Sequence, residues 1–386
     1  MRGKMKIVIT DADSRKGYDI INILKNVYDY ELILFSSVGN RFPLPLIYGQ
    51  KVYQLRIDNP DDFTQDLNIA LNGEGNSKGN FCYMAVSETP TLQLYGYLNR
   101  KEKYSDAITT LLPDIDTFQL ARNKKRFQEY CETRHLPVPR SYNGTVIQDL
   151  QKEFRPVIAK LNIGTGSVGM KYVEKKEQLN LLENIDHEDY LVQEMIRSDR
   201  KIYGAFYLCK DGEVISYHGH RRIRTFPEKG GVTVYSKADY DTGIRDSGAK
   251  LLKKLNWNGF AMIEFMYDLG DHTWKMIELN PRLWGSVMLS EFCNASLLGN
   301  YVRLCSGEPA IKEAVDPDRY IRWIFPFDLL NLLKGKIGIS EFLRLNRHNT
   351  CYINFTYGRW HSNLLFQLFF TFNTRSIKRY FKKIFS

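Results

Sequence analysis

Between Trp257 and Ser286 the chain reads WNGFAMIEFMYDLGDHTWKMIELNPRLWGS, which sets Glu264 and Glu278 inside two runs of large apolar residues. Phe260 to Tyr267 and Trp274 to Leu279 flank Asp268, Leu269, Gly270 and Asp271, the pattern of two strands joined by a turn. A hairpin centred on Asp271 places the two glutamates directly opposite one another, with Cβ atoms about 4.5–5.5 Å apart, where like charges repel. A divalent cation converts that repulsion into binding. Asn280 lies two residues beyond Glu278 and so shares its face, and Mg²⁺ favours one or two carboxylates completed by substrate phosphate oxygens. Glu264, Glu278 and Asn280 are therefore the expected ligands of a Mg-nucleotide site. The apolar flanks favour this over a solvated carboxylate pair, because buried charges need partners.

With 386 residues and 43% hydrophobic content the chain can bury a large core and divide into two to four domains. The start, MRGKMK followed by a short strand-like run, carries no apolar signal core, so secretion is not expected. Six cysteines (Cys82, Cys131, Cys209, Cys293, Cys305, Cys351) are scattered without a Cys-x-x-Cys pair, which argues against a zinc site or disulfide framework and for a reducing cytoplasm. The net charge of +10 is uneven: Arg375, Lys378, Arg379, Lys382 and Lys383 supply half of it, with no acid among them. No nucleic-acid-binding signature accompanies the charge, and no nucleic-acid partner is expected.

Lys6 to Thr10, Gly17 to Asn26 and Glu31 to Ser36 read as strand, helix and strand, the β-α-β opening of a parallel sheet that continues to about Thr110, with a polar loop at residues 72–80. A helix over Asn123 to His135 stops before Pro137 and Pro139. Pro156 to Lys160 and Met170 to Val173 read as strands around a glycine-rich loop, Lys175 to Asn184 as a helix and Tyr190 to Ile196 as a strand. From Ile202 to Met276 strands dominate around one helix, Gly243 to Leu255, and helices follow Gly285. Gly164, Gly166 and Gly169 satisfy Gly-x-Gly-x-x-Gly, but the loop joins two strands in mid-chain and does not open a helix after a first strand, which excludes a dinucleotide-binding turn. A glycine hairpin can instead close its backbone N–H groups over phosphate oxygens. Lys160, at the end of the preceding strand, could reach the same phosphates, whereas Lys124 alone reads as part of a basic helix start.

This order of elements resembles the ATP-grasp superfamily of carboxylate-amine and carboxylate-thiol ligases over most of residues 1–310. The sharpest match is Glu264 followed by Glu278-Leu279-Asn280-Pro281-Arg282. The resemblance implies a mixed α/β and α+β ATP-grasp fold: an N-terminal parallel-sheet domain (1–115), a glycine-loop lid (116–192), an antiparallel-sheet catalytic subdomain (193–312) and a C-terminal extension (313–386). It further implies ATP and Mg²⁺ as cofactors, with Mn²⁺ as the alternative ion, and Arg282 facing the acyl-phosphate intermediate. Lys124 and Lys160 correspond to the two ATP lysines, and Gly164, Gly166, Ser167 and Gly169 to the phosphate-covering lid. Backbone groups of Glu194 and Ile196 would read the adenine edge, and Asp199 is the nearest acid to the usual ribose position, where Ile202 aligns. His220-Arg221-Arg222-Ile223-Arg224 is similar to a group of predicted carboligases, with the three arginines, Arg222 above all, holding a carboxylate or phosphate. His218 and His220 share a strand face but lack the third ligand a zinc site needs.

The activity so implied is ATP-dependent formation of an acyl phosphate and its capture by an amine, on a small acid or a surface-glycan precursor. The other readings are an ATP-binding interaction protein without turnover and a bicarbonate-activating enzyme. Small-molecule carboxylate and amine substrates are the expected partners, and self-association is left open. Leu364 to Phe372 is too short to span a bilayer, which needs about 20 residues. Ile377, Tyr380, Phe381, Ile384 and Phe385 recur at helical spacing among lysines and arginines, so residues 360–386 are expected either to lie on the inner face of the membrane or to dock on their own domain.

Overall fold

The computed structural model describes residues 5–74, 80–142, 146–164, 169–183, 185–186, 188–198, 202–227, 232–344, 349–352 and 360–372. The opening segment winds a parallel sheet from β1 (Lys6–Ile9), α1 (Arg15–Asn26), β2 (Leu32–Ser36), α2 (Leu44–Tyr48), β3 (Val52–Gln54), α3 (Pro60–Gly73), β4 (Phe81–Met84), α4 (Glu88–Asn99) and β5 (Ile108–Thr109), in the order β3-β2-β1-β4-β5. Alternation along β1 explains the two layers: Ile7 and Ile9 enter the core shared with α1, while Val8 packs on the opposite side with Phe63 and Leu67 of α3 and Leu94 of α4. Ser14 starts α1 by accepting the Gly17 N–H at 3.0 Å, and Asn59 starts α3 by accepting from Asp61 and Asp62.

The helix expected near Asn123 is preceded by a second: α5 (Ile115–Arg122) and α6 (Lys124–Glu132) meet at Asn123, whose side chain caps α6 through the Arg126 N–H. A four-stranded antiparallel sheet follows, built from β6 (Ser141–Tyr142), α7 (Val146–Lys152), β7 (Val157–Leu161), β8 (Lys171–Val173), α8 (Asn180–Glu183) and β9 (Tyr190–Glu194), ordered β6-β9-β7-β8. Leu150, Val157, Ala159, Val173, Leu182 and Val192 form its own small core.

The largest sheet contains β10 (Tyr203–Lys210), β11 (Glu213–Phe226), β12 (Val232–Ala238), β13 (Gly259–Asp268) and β14 (Thr273–Asn280), with α9 (Thr242–Lys254) between β12 and β13. One face, including Ala205, Tyr207, Ile263 and Phe265, packs with Leu251 and Leu252 of α9. The other face joins the N-terminal core: Phe206 stacks on Trp284 at 4.3 Å, in the chain leading to α10 (Val287–Phe292) and α11 (Leu297–Cys305). Gly259 makes this junction close. Its φ is +83°, and a Cβ there would lie 2.1 Å from the Leu111 carbonyl just beyond β5.

The C-terminal extension adds to this sheet. β15 (Tyr320–Arg322) pairs antiparallel with β12, the short helices α12 (Leu329–Leu333) and α13 (Ile339–Leu343) follow, and β16 (Thr350–Tyr352) pairs parallel with β15. The fully buried Asp328 carboxylate accepts from Arg224 (2.8 and 2.9 Å) and Arg322 (2.7 Å), locking the extension to β11. The last described helix, α14 (Trp360–Phe372), lies beside α2 and stacks Phe366 on Tyr18 at 4.0 Å. Among the described residues no helix is long and apolar enough to cross a membrane. All six cysteines are buried.

Candidate active site

The carboxylate pair owes its alignment to a β-bulge. From the turn outward the hairpin pairs Asp268 with Thr273 and Phe265 with Met276; a register shift then makes Glu264 oppose Glu278, Ile263 oppose Leu279 and Met262 oppose Asn280. Ile277 is the extra residue. In an unbulged hairpin it would oppose Glu264, and Glu278 would point with Met276 into the apolar core; the bulge puts both glutamates on the face away from α9.

Cations gather on this pair. Arg222 Nη2 lies 2.5 Å from Glu264 Oε1, and Lys124 Nζ lies 3.7 Å from Glu278 Oε2. Asn280 Nδ2 donates to Glu278 Oε1 at 2.9 Å, and Arg282 Nη2 donates to Asn280 Oδ1 at 2.9 Å. Burial pushes the Glu264 carboxyl above its ordinary range against the pull of Arg222. Burial acts the same way on Glu278, but Lys124, the Asn280 amide, Lys160 and Arg282 together outweigh it and hold that carboxyl low. Two oxygen ligands of unequal basicity and one amide result, a hard-donor set suited to Mg²⁺. Among the described residues no group of three or more His, Cys, Asp or Glu is arranged to hold a metal, so phosphate or water oxygens would have to complete the shell.

The start of the glycine loop is tied to the same floor through Lys124. Lys124, the first residue of α6, donates its backbone N–H to the Asn162 carbonyl (2.9 Å) and its ammonium to the Gly164 carbonyl (3.1 Å). Lys160 is buried near the end of β7; burial lowers it to about 8, with the Glu278 carboxylate opposing. Gly169 ends the loop at φ +75°, where a Cβ would press on Leu161 at 2.9 Å. Gly166, Ser167 and Asp199 lie outside the described residues. Glu194 closes β9, its N–H bound to the Arg140 carbonyl and its side chain accepting the Arg140 N–H, both at 2.9 Å; Ile196 follows just past the strand.

The expected cluster of three arginines does not form. Register shifts around Ile223 turn Arg224 to Asp328, Arg221 sits 3.6 Å from Asp239, and only Arg222 joins the glutamates. His218 and His220 do share a face, with ring centroids 6.4 Å apart. Both are buried, and desolvation holds both in the neutral form, His218 at about 3; they pair with Tyr240 (2.8 Å) and Ser286 (3.0 Å) respectively.

Two N-terminal groups escaped the sequence reading. Glu88, the first residue of α4, lies 3.3 Å from Arg282 Nε and 2.8 Å from Arg122 Nε. The Lys16 ammonium donates to the carbonyls of Val86 and Leu283, both at 3.3 Å; burial first and Arg282 second lower it to about 7. They lie at the starts of the helices that follow β4 and β1, where the order of the parallel sheet reverses. That switch point is where open α/β sheets place ligands, and it is the signal that could have found them.

Residues 121–286, which span the four-stranded sheet and the bulged hairpin, match the ATP-grasp domain family. The chain carries an ATP-grasp domain. D-aspartate ligase of Enterococcus faecium (strain Aus0004) is 26% identical over 208 residues, 47% of this chain and 49% of the relative, so the match spans about half the length of that curated protein. Solved ATP-grasp structures share the fold. N5-carboxyaminoimidazole synthetase from Staphylococcus aureus superposes with a TM-score of 0.61 at 15% identity, covering 88% of this chain and 87% of that one. The biotin carboxylase domain of Hydrogenobacter thermophilus 2-oxoglutarate carboxylase, solved with MgADP, ADP and bicarbonate, superposes with a TM-score of 0.60 at 13% identity, covering 82% and 73%. The ATP-grasp fold of this chain thus comprises the N-terminal parallel sheet, the small four-stranded sheet and the large sheet that bears the carboxylates.

Proposed function

We propose that the protein is an ATP-dependent carboxylate-amine ligase that forms an acyl phosphate and passes the acyl group to an amine. The observation that carries this reading is the bulged hairpin, which sets Glu264, Glu278 and Asn280 on one face beneath Lys124 and beside Arg282. In this scheme Glu264, Glu278 and Asn280 hold Mg²⁺, or Mn²⁺ in its place, which when bound neutralises charge on the β- and γ-phosphates. Lys124, Lys160 and the loop from Gly164 through Gly166 and Ser167 to Gly169 bind phosphate oxygens. Backbone groups of Glu194 and Ile196 read the adenine, and Asp199 lies nearest the ribose. Arg222 binds the carboxylate being activated. Arg282 stabilises the oxyanion formed as the amine adds, a role whose loss typically costs roughly 10²–10³ in rate.

The residue ranges 1–115, 116–192, 193–312 and 313–386 divide the labour among substrate entry, lid, chemistry and an extension that braces β11. The D-aspartate ligase relative supports an amine acceptor, and six buried cysteines suit a reducing cytoplasm. Phosphate release across a panel of acids and amines tests the activity. Release should need both partners, and Glu278→Gln should abolish it while leaving the fold intact. Near-normal turnover in Glu278→Gln would sink the metal assignment, and release with bicarbonate alone would reassign the acid.

A further inference from the structure

The helix α14 docks by one face and leaves another bare. Phe366 is fully buried against Tyr18, and Asn363 hydrogen-bonds the Tyr18 hydroxyl. Trp360, Leu364 and Leu368, spaced i, i+4 and i+8, are 72, 53 and 45% exposed. On α2, the helix that α14 packs against, Leu46 is 64% exposed, and Phe42, just before that helix, is 75% exposed. Side chains of this kind at helical spacing ordinarily face a core. Here they are exposed on two neighbouring elements, which marks an interaction surface.

The fringe of this surface is basic. Arg41 and Lys51 are exposed on either side of α2, and the Lys25 ammonium binds the Tyr48 carbonyl at its end at 2.8 Å. No Asp or Glu occurs in residues 37–57. Residues 360–386 hold Arg375, Lys378, Arg379, Lys382 and Lys383, again with no Asp or Glu.

We propose that Trp360, Leu364 and Leu368 of α14, with Phe42 and Leu46, form a docking face for the surface of an anionic lipid bilayer. Charge selects the occupant. A second copy would bring one basic fringe against another, and folding residues 373–386 back would set their five cations against Arg41 and Lys51. Anionic headgroups complement both, while a tryptophan flanked by leucines suits the boundary between headgroup and acyl chain. Thirteen residues of helix reach about 20 Å, short of the roughly 30 Å hydrocarbon core, so α14 would lie along the surface and not cross it. This inference does not rest on the ligase reading, since catalysis can be assayed without lipid.

Sedimentation of the full chain with vesicles tests it. The protein should pellet with phosphatidylcholine vesicles containing about 30% phosphatidylglycerol and stay in solution with pure phosphatidylcholine. Binding should fall about tenfold on raising salt from about 0.1 to 0.5 M, as screening of a basic fringe requires. The triple substitution Trp360→Ser, Leu364→Ser and Leu368→Ser should lower it by about tenfold or more at an unchanged melting temperature and ATP turnover. Should the triple variant fail to fold, Phe42→Ser with Leu46→Ser probes the same face from α2 and should lower binding likewise. Equal pelleting of wild type and the folded variants overturns the proposal, as does absence of binding to anionic vesicles. A dimer abolished by the same substitutions would give the face to a second copy, and dye binding that appears only when residues 373–386 are removed would give it to the chain itself; either result overturns the membrane assignment.

Discussion

Arg222 and Glu264 meet at 2.5 Å, so in the absence of metal a side chain already neutralises the carboxylate that the cation would claim. Removing one partner of a buried pair strands the other and typically costs about 3–5 kcal/mol. Arg222→Ala should therefore lower the melting temperature, and added Mg²⁺ should recover more of the loss than it adds to the wild type, because Glu264 then loses its direct counter-charge and repels Glu278 more strongly. Equal Mg²⁺ shifts in thermal scans would count against Glu264 as a ligand. A second buried carboxyl, Asp19 on α1, has neither oxygen hydrogen-bonded and is raised to about 8 by burial, with Arg15 opposing. Its folded-state proton is held through a range in which the unfolded chain has already lost it. The contribution of Asp19 is complete below about pH 4 and is lost as pH rises through 8, at about 1.4 kcal/mol for each pH unit in the window. Asp19→Asn should flatten that slope in urea unfolding measured between pH 4 and 8, and an unchanged slope would refute the assignment.

Within the hairpin, Ile277 is the residue the ladder sets aside so that Glu278 can oppose Glu264. Deleting it should give a regular ladder that keeps Glu264 opposite Glu278 and Ile263 opposite Leu279, so ATP turnover and folding stability should both persist; loss of turnover in a folded deletion variant would contradict the bulge assignment. Ile277→Val should leave both properties near wild type, and phosphate release with denaturant unfolding reads the two. The same element marks how far residue order can be read. Equal spacing of Glu264 and Glu278 about Asp271 indicated the pairing, yet the turn pairs Asp268 with Thr273, and only the bulge restores the alignment. Bulges depend on packing at both ends of a strand, which local spacing does not encode. The irregularity around Ile223 had the opposite effect and dispersed arginines that look adjacent in the chain. The parallel opening and the β7–β8 pairing around the glycines were legible because strand alternation and glycine placement are local properties, whereas Lys124 and Lys160 stood out only through the family resemblance.

At the scale of the molecule, Glu88 bridges the N-terminal sheet to Arg282 across nearly two hundred residues of chain, a contact no local pattern reports. Glu88→Ala should uncouple that arginine: turnover falls on the order of 10–100-fold while the KM for ATP stays near wild type, since a small misplacement of a reacting group costs rate. A rise in the ATP KM with turnover intact would contradict this reading. Lys124 joins the end of β7 to the carboxylate floor in another way, its one ammonium donating to the Gly164 carbonyl while facing Glu278. On the proposed reading, a nucleotide that recruits this ammonium would have to take it from both partners at once, so the observed affinity would report the intrinsic attraction less the work of breaking those two contacts. A ligand too short to engage Lys124 would leave both contacts in place, and under that reading this lysine would act as a length gauge for the polyphosphate chain.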